Sequence, residues 1–309
     1  MALEDLIKAV DEQLLSVTQS SVPVLQDASH HILAAGGKRL RPRLVLLANA
    51  AVNGPTPADA VPLAVGIELI HTATLVHDDI NDHGTMRRGR ETVNARWGGT
   101  VALLTGDFMF TKVYQLMATY PGEINAILAD ATATLVEGET LQILASKQGT
   151  LDRDTYMEII AKKTASLFVA AVELGATIAH APAGWVTGLK DYAFNLGLAF
   201  QIEDDILDLS GDAETLGKNA GIDVAQGRGL AVAMQGGRPS GNGVTIELAN
   251  DSLPAVEGFG DSLLEAVTKG REKAREYADL AVQSLDVLPA SPARDALRAL
   301  AYQAVNRDH

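Results

Sequence analysis

The 309-residue chain has no cysteine, which excludes disulfides and thiolate metal centres and leaves oxygen and imidazole to hold any metal. Such a chain fits a reducing, cytoplasmic location. Aromatic residues reach only 5% and strict apolar–polar alternation is rare, so the alanine- and leucine-rich segments read as helices. Cations are also in deficit: 25 Lys and Arg stand against 39 Asp and Glu, a formal charge of -14. That balance argues against broad binding of nucleic acid, which requires excess Lys and Arg to neutralise phosphates. No uncharged apolar run approaches the roughly 20 residues needed to cross a bilayer, and MALEDLIKAVDEQLL lacks a basic region followed by an apolar block. Neither a transmembrane segment nor a targeting peptide is expected.

What the chain does have is apolar residues, 47% of the total and spread over most of its length, enough for a large core. Helical periodicity is broken near Pro23, at Gly36-Gly37, and at NGPTP, DHGTMRRG, TYPGE, SKQGTLD and HAPAG. Pro42 restarts a helix, and an amphipathic pair over about 262–306 closes the chain. The reading is one all-α domain over 1–309, interrupted by a Gly-rich stretch at about 234–261 in which VTIEL suggests a short strand.

Two clusters of carboxylates carry the chemistry. In HDDINDH, Asp78 and Asp82 lie four residues apart and so emerge on one helical face, with Asp79 beside them. Alone, this pattern would equally describe a solvated acidic helix end. It recurs, however, as Asp204, Asp205 and Asp208 in LAFQIEDDILDLSGD, among Phe200, Ile202, Ile206, Leu207 and Leu209. Charges in so apolar a helix need partners. A cleft with a hard cation at its mouth satisfies both requirements, and Mg²⁺ completed by phosphate oxygens suits an all-carboxylate donor set.

Cations flank these clusters. GGKRLRPRL gathers Lys38, Arg39, Arg41 and Arg43 at a helix start, where free N–H groups add to the side-chain charge. Arg87-Arg88 follows the first cluster, and His71 stands seven residues before Asp78 on nearly the same face. Lys163 and Thr164 sit in an apolar helix, and Lys218 on a glycine turn after the second cluster. His77 receives no role.

In order, GGKRLRP, ELIHTATLVHDDINDHGTMRRG, LLTGDFMF, EGETLQ, KKTASLF, GLAFQIEDDILD and LGKNAGID resemble the trans-isoprenyl diphosphate synthases, the polyprenyl synthetase family. The resemblance implies a single-domain helical bundle around a deep central cavity, a homodimer, and Mg²⁺ as cofactor. The implied reaction condenses an allylic diphosphate with isopentenyl diphosphate to a polyprenyl diphosphate. By position, Asp78, Asp82, Asp204 and Asp208 would hold Mg²⁺, supported by Asp79 and Asp205. Arg87, Lys163, Thr164, Gln201 and Lys218 would contact the allylic diphosphate, and Lys163 joins the aspartates as a catalytic group. Lys38, Arg41, His71 and Arg88 would hold isopentenyl diphosphate. On this reading the aspartates recruit metal and the arginines serve the two substrates, so neither group neutralises the other.

Small residues, Ala73 and Thr74, stand five and four positions before Asp78, where relatives making short products often carry aromatic bulk. This implies a product of geranylgeranyl length or longer. After Asp223 the chain departs from the family: AQGRGLAVAMQGG replaces the usual basic, threonine-containing segment, with Arg228 in place of the customary lysine. Two other readings stand beside the synthase, a class I terpene cyclase and a non-catalytic subunit of a heteromeric synthase.

Overall fold

The computed structural model describes residues 2–54, 57–210, 229–234 and 260–306. Lys218, Asp223, Arg228 and VTIEL lie outside them. The described chain is helical almost throughout: α1 (Leu3–Val17), α2 (Pro23–Leu33), α3 (Leu40–Ala51), α4 (Val61–Asn81), α5 (Val93–Trp97), α6 (Gly99–Met117) and α7 (Gly122–Gln148) come first. Then follow α8 (Arg153–Ile160), a π-helical turn (Ala161–Ala165), α9 (Ser166–Ile178), α10 (Ala183–Ser210), α11 (Gly229–Met234), α12 (Gly260–Ser284) and α13 (Pro292–Val305). The all-α expectation holds.

Local chemistry sets the helix ends. Pro23 and Pro292 begin α2 and α13, where a missing N–H costs nothing. The Ser291 and Asp152 side chains accept from the backbone N–H of Arg294 and Thr155 and cap α13 and α8. Pro42 does not open α3: the helix starts at Leu40, with Arg39 before it in the left-handed region at φ 48°. Pro42 still falls within the first turn, whose N–H groups have no intrahelical acceptor.

The core is built around α4. Its residues are buried on nearly every side, as a helix apolar all round requires. Residues 58–81 match a membrane span in length and composition, yet most of that window is buried inside the protein. Helices α3, α6 and α9 pack on α4, and α9 packs in turn on α10. A second apolar cluster joins Tyr156, Ile159, Ile160, Ile202 and Ile206 to α11 and α12.

Candidate active site

The first acidic cluster ends α4. The backbone N–H of Asp82 donates to Asp78 O at 2.8 Å, so the helical stacking persists through the cap. Asp78 and Asp82 are half-buried, whereas Asp79 is only 3% exposed. Burial pushes the Asp78 carboxyl up to about 7, Glu139 and Asp82 adding to the rise while Lys163 and Arg87 oppose it.

The stretch after α4 is not simply a loop. Met86–Arg87 pairs antiparallel with Arg90–Glu91, joined by Arg88 and Gly89 at φ 51° and 71°, both in the left-handed region that a tight two-residue hairpin turn uses. Arg87 is therefore on a strand and Arg88 at the tip, and the neighbours part company. Arg87 Nε and Nη2 both lie 2.9 Å from Asp79 Oδ1. This corrects the sequence reading, since one arginine does neutralise one aspartate. Arg88 Nη1 reaches instead across to the carbonyl of Gly36.

That contact ties the hairpin to the GGKRLRP arm, and the arm divides its cations sharply. Arg39 is structural: its nearly buried guanidinium bonds Asp11 at 2.8 Å and Glu68 at 2.9 Å. Arg43 pairs with Glu4 at 2.8 Å. Lys38 is exposed, and Arg41 stacks 5.0 Å from the Phe168 ring centroid. Burial lowers the Arg41 pKa to about 10, with Arg88 adding to the fall and Glu68 and Asp204 opposing it, so Arg41 stays charged at neutral pH. His71 is held well below its ordinary value by burial and by Arg41, Arg88, Arg87 and Arg39, and acts as a neutral imidazole.

Lys163 and Thr164 occupy the π-helical turn, a widened turn often found at functional sites. Gly138 on α7 and Gly197 on α10 pinch it from two sides: a Cβ on the first would stand 2.6 Å from Lys163 N, and on the second 2.6 Å from Ala165 Cα. Lys163 Nζ is held by Gln142 Oε1 at 2.8 Å and by the Glu139 carboxylate. Sequence reasoning gave Glu139 and Gln142 no role, although EGETLQ and their i, i+3 spacing on one helix face were visible.

The second cluster lines α10, with Asp205 at 8% exposure, Asp208 at 2% and Asp204 half-buried. Thr164 Oγ1 donates to Gln201 Oε1 at 2.7 Å, and Gln201 Nε2 donates to Asp205 Oδ1 at 2.8 Å. Tyr156 OH donates to Asp205 Oδ2 at 2.8 Å. Asp204 acts electrostatically on Arg41, and Arg87 on both Asp78 and His71. The two acidic clusters and the basic arm thus sit within electrostatic reach of one another, on helices joined by α9, which packs against both α4 and α10.

The comparisons decide what kind of cleft this is. The sequence profile of the family described as Polyprenyl synthetase matches residues 22–241. The chain belongs to the polyprenyl synthetase family. It is 38% identical to the octaprenyl diphosphate synthase of Escherichia coli K12, over 97% of this chain and 95% of that one. It is 36% identical to a short chain isoprenyl diphosphate synthase of Methanothermobacter thermautotrophicus, over 95% and 94%. A polyprenyl synthase of Caulobacter crescentus, solved with calcium and isoprenyl diphosphate, superposes with a TM-score of 0.86 at 37% identity, over 99% of this chain and 96% of that one.

This polyprenyl synthetase is therefore a prenyltransferase, a polyprenyl diphosphate synthase, and the family uses allylic and isopentenyl diphosphates. The relatives differ in product, so membership fixes the reaction and leaves chain length to the cleft. On α4, His71, Thr74, Leu75 and Asp78 form a half-buried stripe at helical spacing. Ala73 is completely buried beside it. The Thr74 hydroxyl turns back to His71 O at 2.8 Å.

Proposed function

We propose that the chain is a Mg²⁺-dependent, head-to-tail trans-prenyltransferase working as a homodimer, with products of geranylgeranyl length or longer. The observation that carries this reading is the meeting of Asp78, Lys163 and Arg87 from α4, the π-helical turn and the hairpin in one electrostatic neighbourhood, with the second acidic cluster tied to the same turn through Gln201 and Thr164.

The donor set suits Mg²⁺. Asp79 Oδ2 is buried with no hydrogen-bond partner, and burial raises Asp78, so added positive charge would stabilise both carboxylates. An all-carboxylate donor set suits an ion that keeps waters and takes substrate phosphate oxygens. Asp78, Asp82, Asp204 and Asp208 would hold it, and when bound it neutralises charge growing on the departing diphosphate.

The chain's own groups account for the rest. Lys163, Thr164 and Gln201 contact the allylic diphosphate, and Arg87 reaches it through Nη1 while Nε and Nη2 keep Asp79. Lys38, Arg41, Arg88 and the neutral His71 N–H hold isopentenyl diphosphate, placing its double bond against the allylic carbon so that attack is effectively intramolecular. Apolar walls keep water from the allylic cation. Loss of a proton to the released diphosphate completes the new double bond.

Thr74 supports the longer product, since its small side chain lies on the same stripe as Asp78. Leu103, Leu104 and Tyr114 on α6, with Val136 and Leu144 on α7, are exposed apolar residues at helical spacing, and they support pairing of two copies through these helices. The test is an assay with Mg²⁺, isopentenyl diphosphate and farnesyl diphosphate, with chromatography of the dephosphorylated prenyl alcohols. Extension past farnesyl length that stops on chelation is expected. Turnover unaffected by chelation would overturn the metal assignment, and exclusive farnesyl-length synthesis from shorter primers would overturn the length assignment.

A further inference from the structure

Asp205 is held from two sides. It is nearly buried, and each of its carboxylate oxygens accepts a hydrogen bond, Oδ1 from Gln201 and Oδ2 from Tyr156. Tyr156 is itself 3% exposed, on α8, packed with Ile159, Ile160, Ile202 and Ile206 in the second apolar cluster. The bonds run on from Gln201 to Thr164 in the π-helical turn. Four side chains from α8, α10 and that turn thus form one continuous run of hydrogen bonds, with Tyr156 buried on α8.

The direction of the bonds matters. The phenol O–H donates to Asp205 Oδ2, so Tyr156 holds that oxygen and leaves Oδ1 turned toward the Gln201 amide N–H. With its nitrogen so engaged, the Gln201 amide must present Oε1 to Thr164. One phenol therefore sets the orientation of the amide and, through it, of the hydroxyl beside Lys163.

We infer that Tyr156 is a positioning residue for the allylic-diphosphate half of the site: acting through Asp205, it fixes Gln201 and Thr164 and keeps Asp205 a support beside Asp204 and Asp208. The inference rests on the assignment of α10 and the π-helical turn to the allylic diphosphate. It makes Tyr156 matter for one substrate and not the other, although the side chain touches neither.

The experiment is calorimetric titration of farnesyl thiodiphosphate, a poorly ionising allylic analogue, into wild type and Tyr156→Phe with Mg²⁺ present, alongside steady-state KM values for both substrates. Metal-dependent binding by wild type tests the site assignment; the variant tests Tyr156. The lost charge-assisted hydrogen bond should weaken analogue binding by about tenfold, raise the allylic KM in step, and move the isopentenyl KM less than twofold. A second measurement removes dependence on the stability of one variant: adding Tyr156→Phe to Asp205→Asn should cost less than twofold further. Unchanged analogue affinity in Tyr156→Phe, equal losses for both substrates, or a full tenfold loss on the Asp205→Asn background would each overturn the inference.

Discussion

Gly138 lies so close to Lys163 that a methyl group in place of its hydrogen would stand 2.6 Å from the lysine's backbone nitrogen and 2.8 Å from Lys162 Cβ. The neighbour is backbone and cannot rotate away, so the π-helical turn must shift. Gly138→Ala should lower kcat/KM at least tenfold, because a displacement of about 1 Å at a substrate-positioning group can cost two orders of magnitude. Gly122→Ala, on the same helix with nothing within 4 Å of the added methyl, should leave the rate unchanged. Equal rates for both variants would show that the turn tolerates displacement.

Arg39 and Arg41 stand two positions apart and should fail differently. Removing Arg39 strands Glu68, which is 4% exposed, and breaking a buried pair in this way costs about 3 kcal/mol. Urea unfolding of Arg39→Met should show that loss. Arg41→Met should unfold near the wild-type midpoint while the isopentenyl diphosphate KM rises at least tenfold. A stability loss in Arg41→Met equal to that of Arg39→Met would contradict the division.

Acidification should weaken the fold through His71. Its folded pKa lies well below the ordinary 6.5 because of burial and four arginines, so between those values the unfolded chain takes up a proton that the folded chain refuses. Stability contributed by neutral His71 is present above about pH 6.5 and is lost as pH falls, at up to about 1.4 kcal/mol per pH unit. Unfolding free energies at pH 5, 6 and 7 should fall less steeply for His71→Asn than for wild type. Parallel slopes would mean that His71 is not the group responsible.

Product length should respond to bulk on the half-buried stripe of α4. Thr74→Phe places an aromatic ring one turn before Asp78 and should shorten the product by at least one isoprene unit, read from the dephosphorylated alcohols. Ala73→Phe should also shorten it, at a higher cost in stability because Ala73 is completely enclosed. An unchanged distribution in both would place the floor deeper, near Ile67 or Ile70.

Helix type and most breaks were legible because periodicity and Gly/Pro punctuation are local properties of a chain. The two acidic clusters could be read for the same reason: four-residue spacing fixes a common face whatever surrounds the helix. What could not be read was the partner of each charge. Arg39 and Arg41 are indistinguishable in GGKRLRP, and only the approach of Glu68, 29 residues away, makes the first structural. The hairpin at 86–91 escaped notice because its turn uses Arg88 at positive φ, where a non-glycine residue gives no signal. Arg87 consequently pairs with Asp79, which the charge pattern alone did not reveal. Tyr156 was silent, being a lone aromatic 49 residues from the carboxylate it serves.

Phe168 of α9 lies between two elements of the site, its ring 5.4 Å from that of Phe200 on α10 and beneath the Arg41 guanidinium of α3. The spacing between the basic arm of α3 and the second acidic helix is therefore gauged by a hydrocarbon shim. Changing that shim's thickness would retune how both diphosphates are spaced while leaving every polar residue of the site in the sequence.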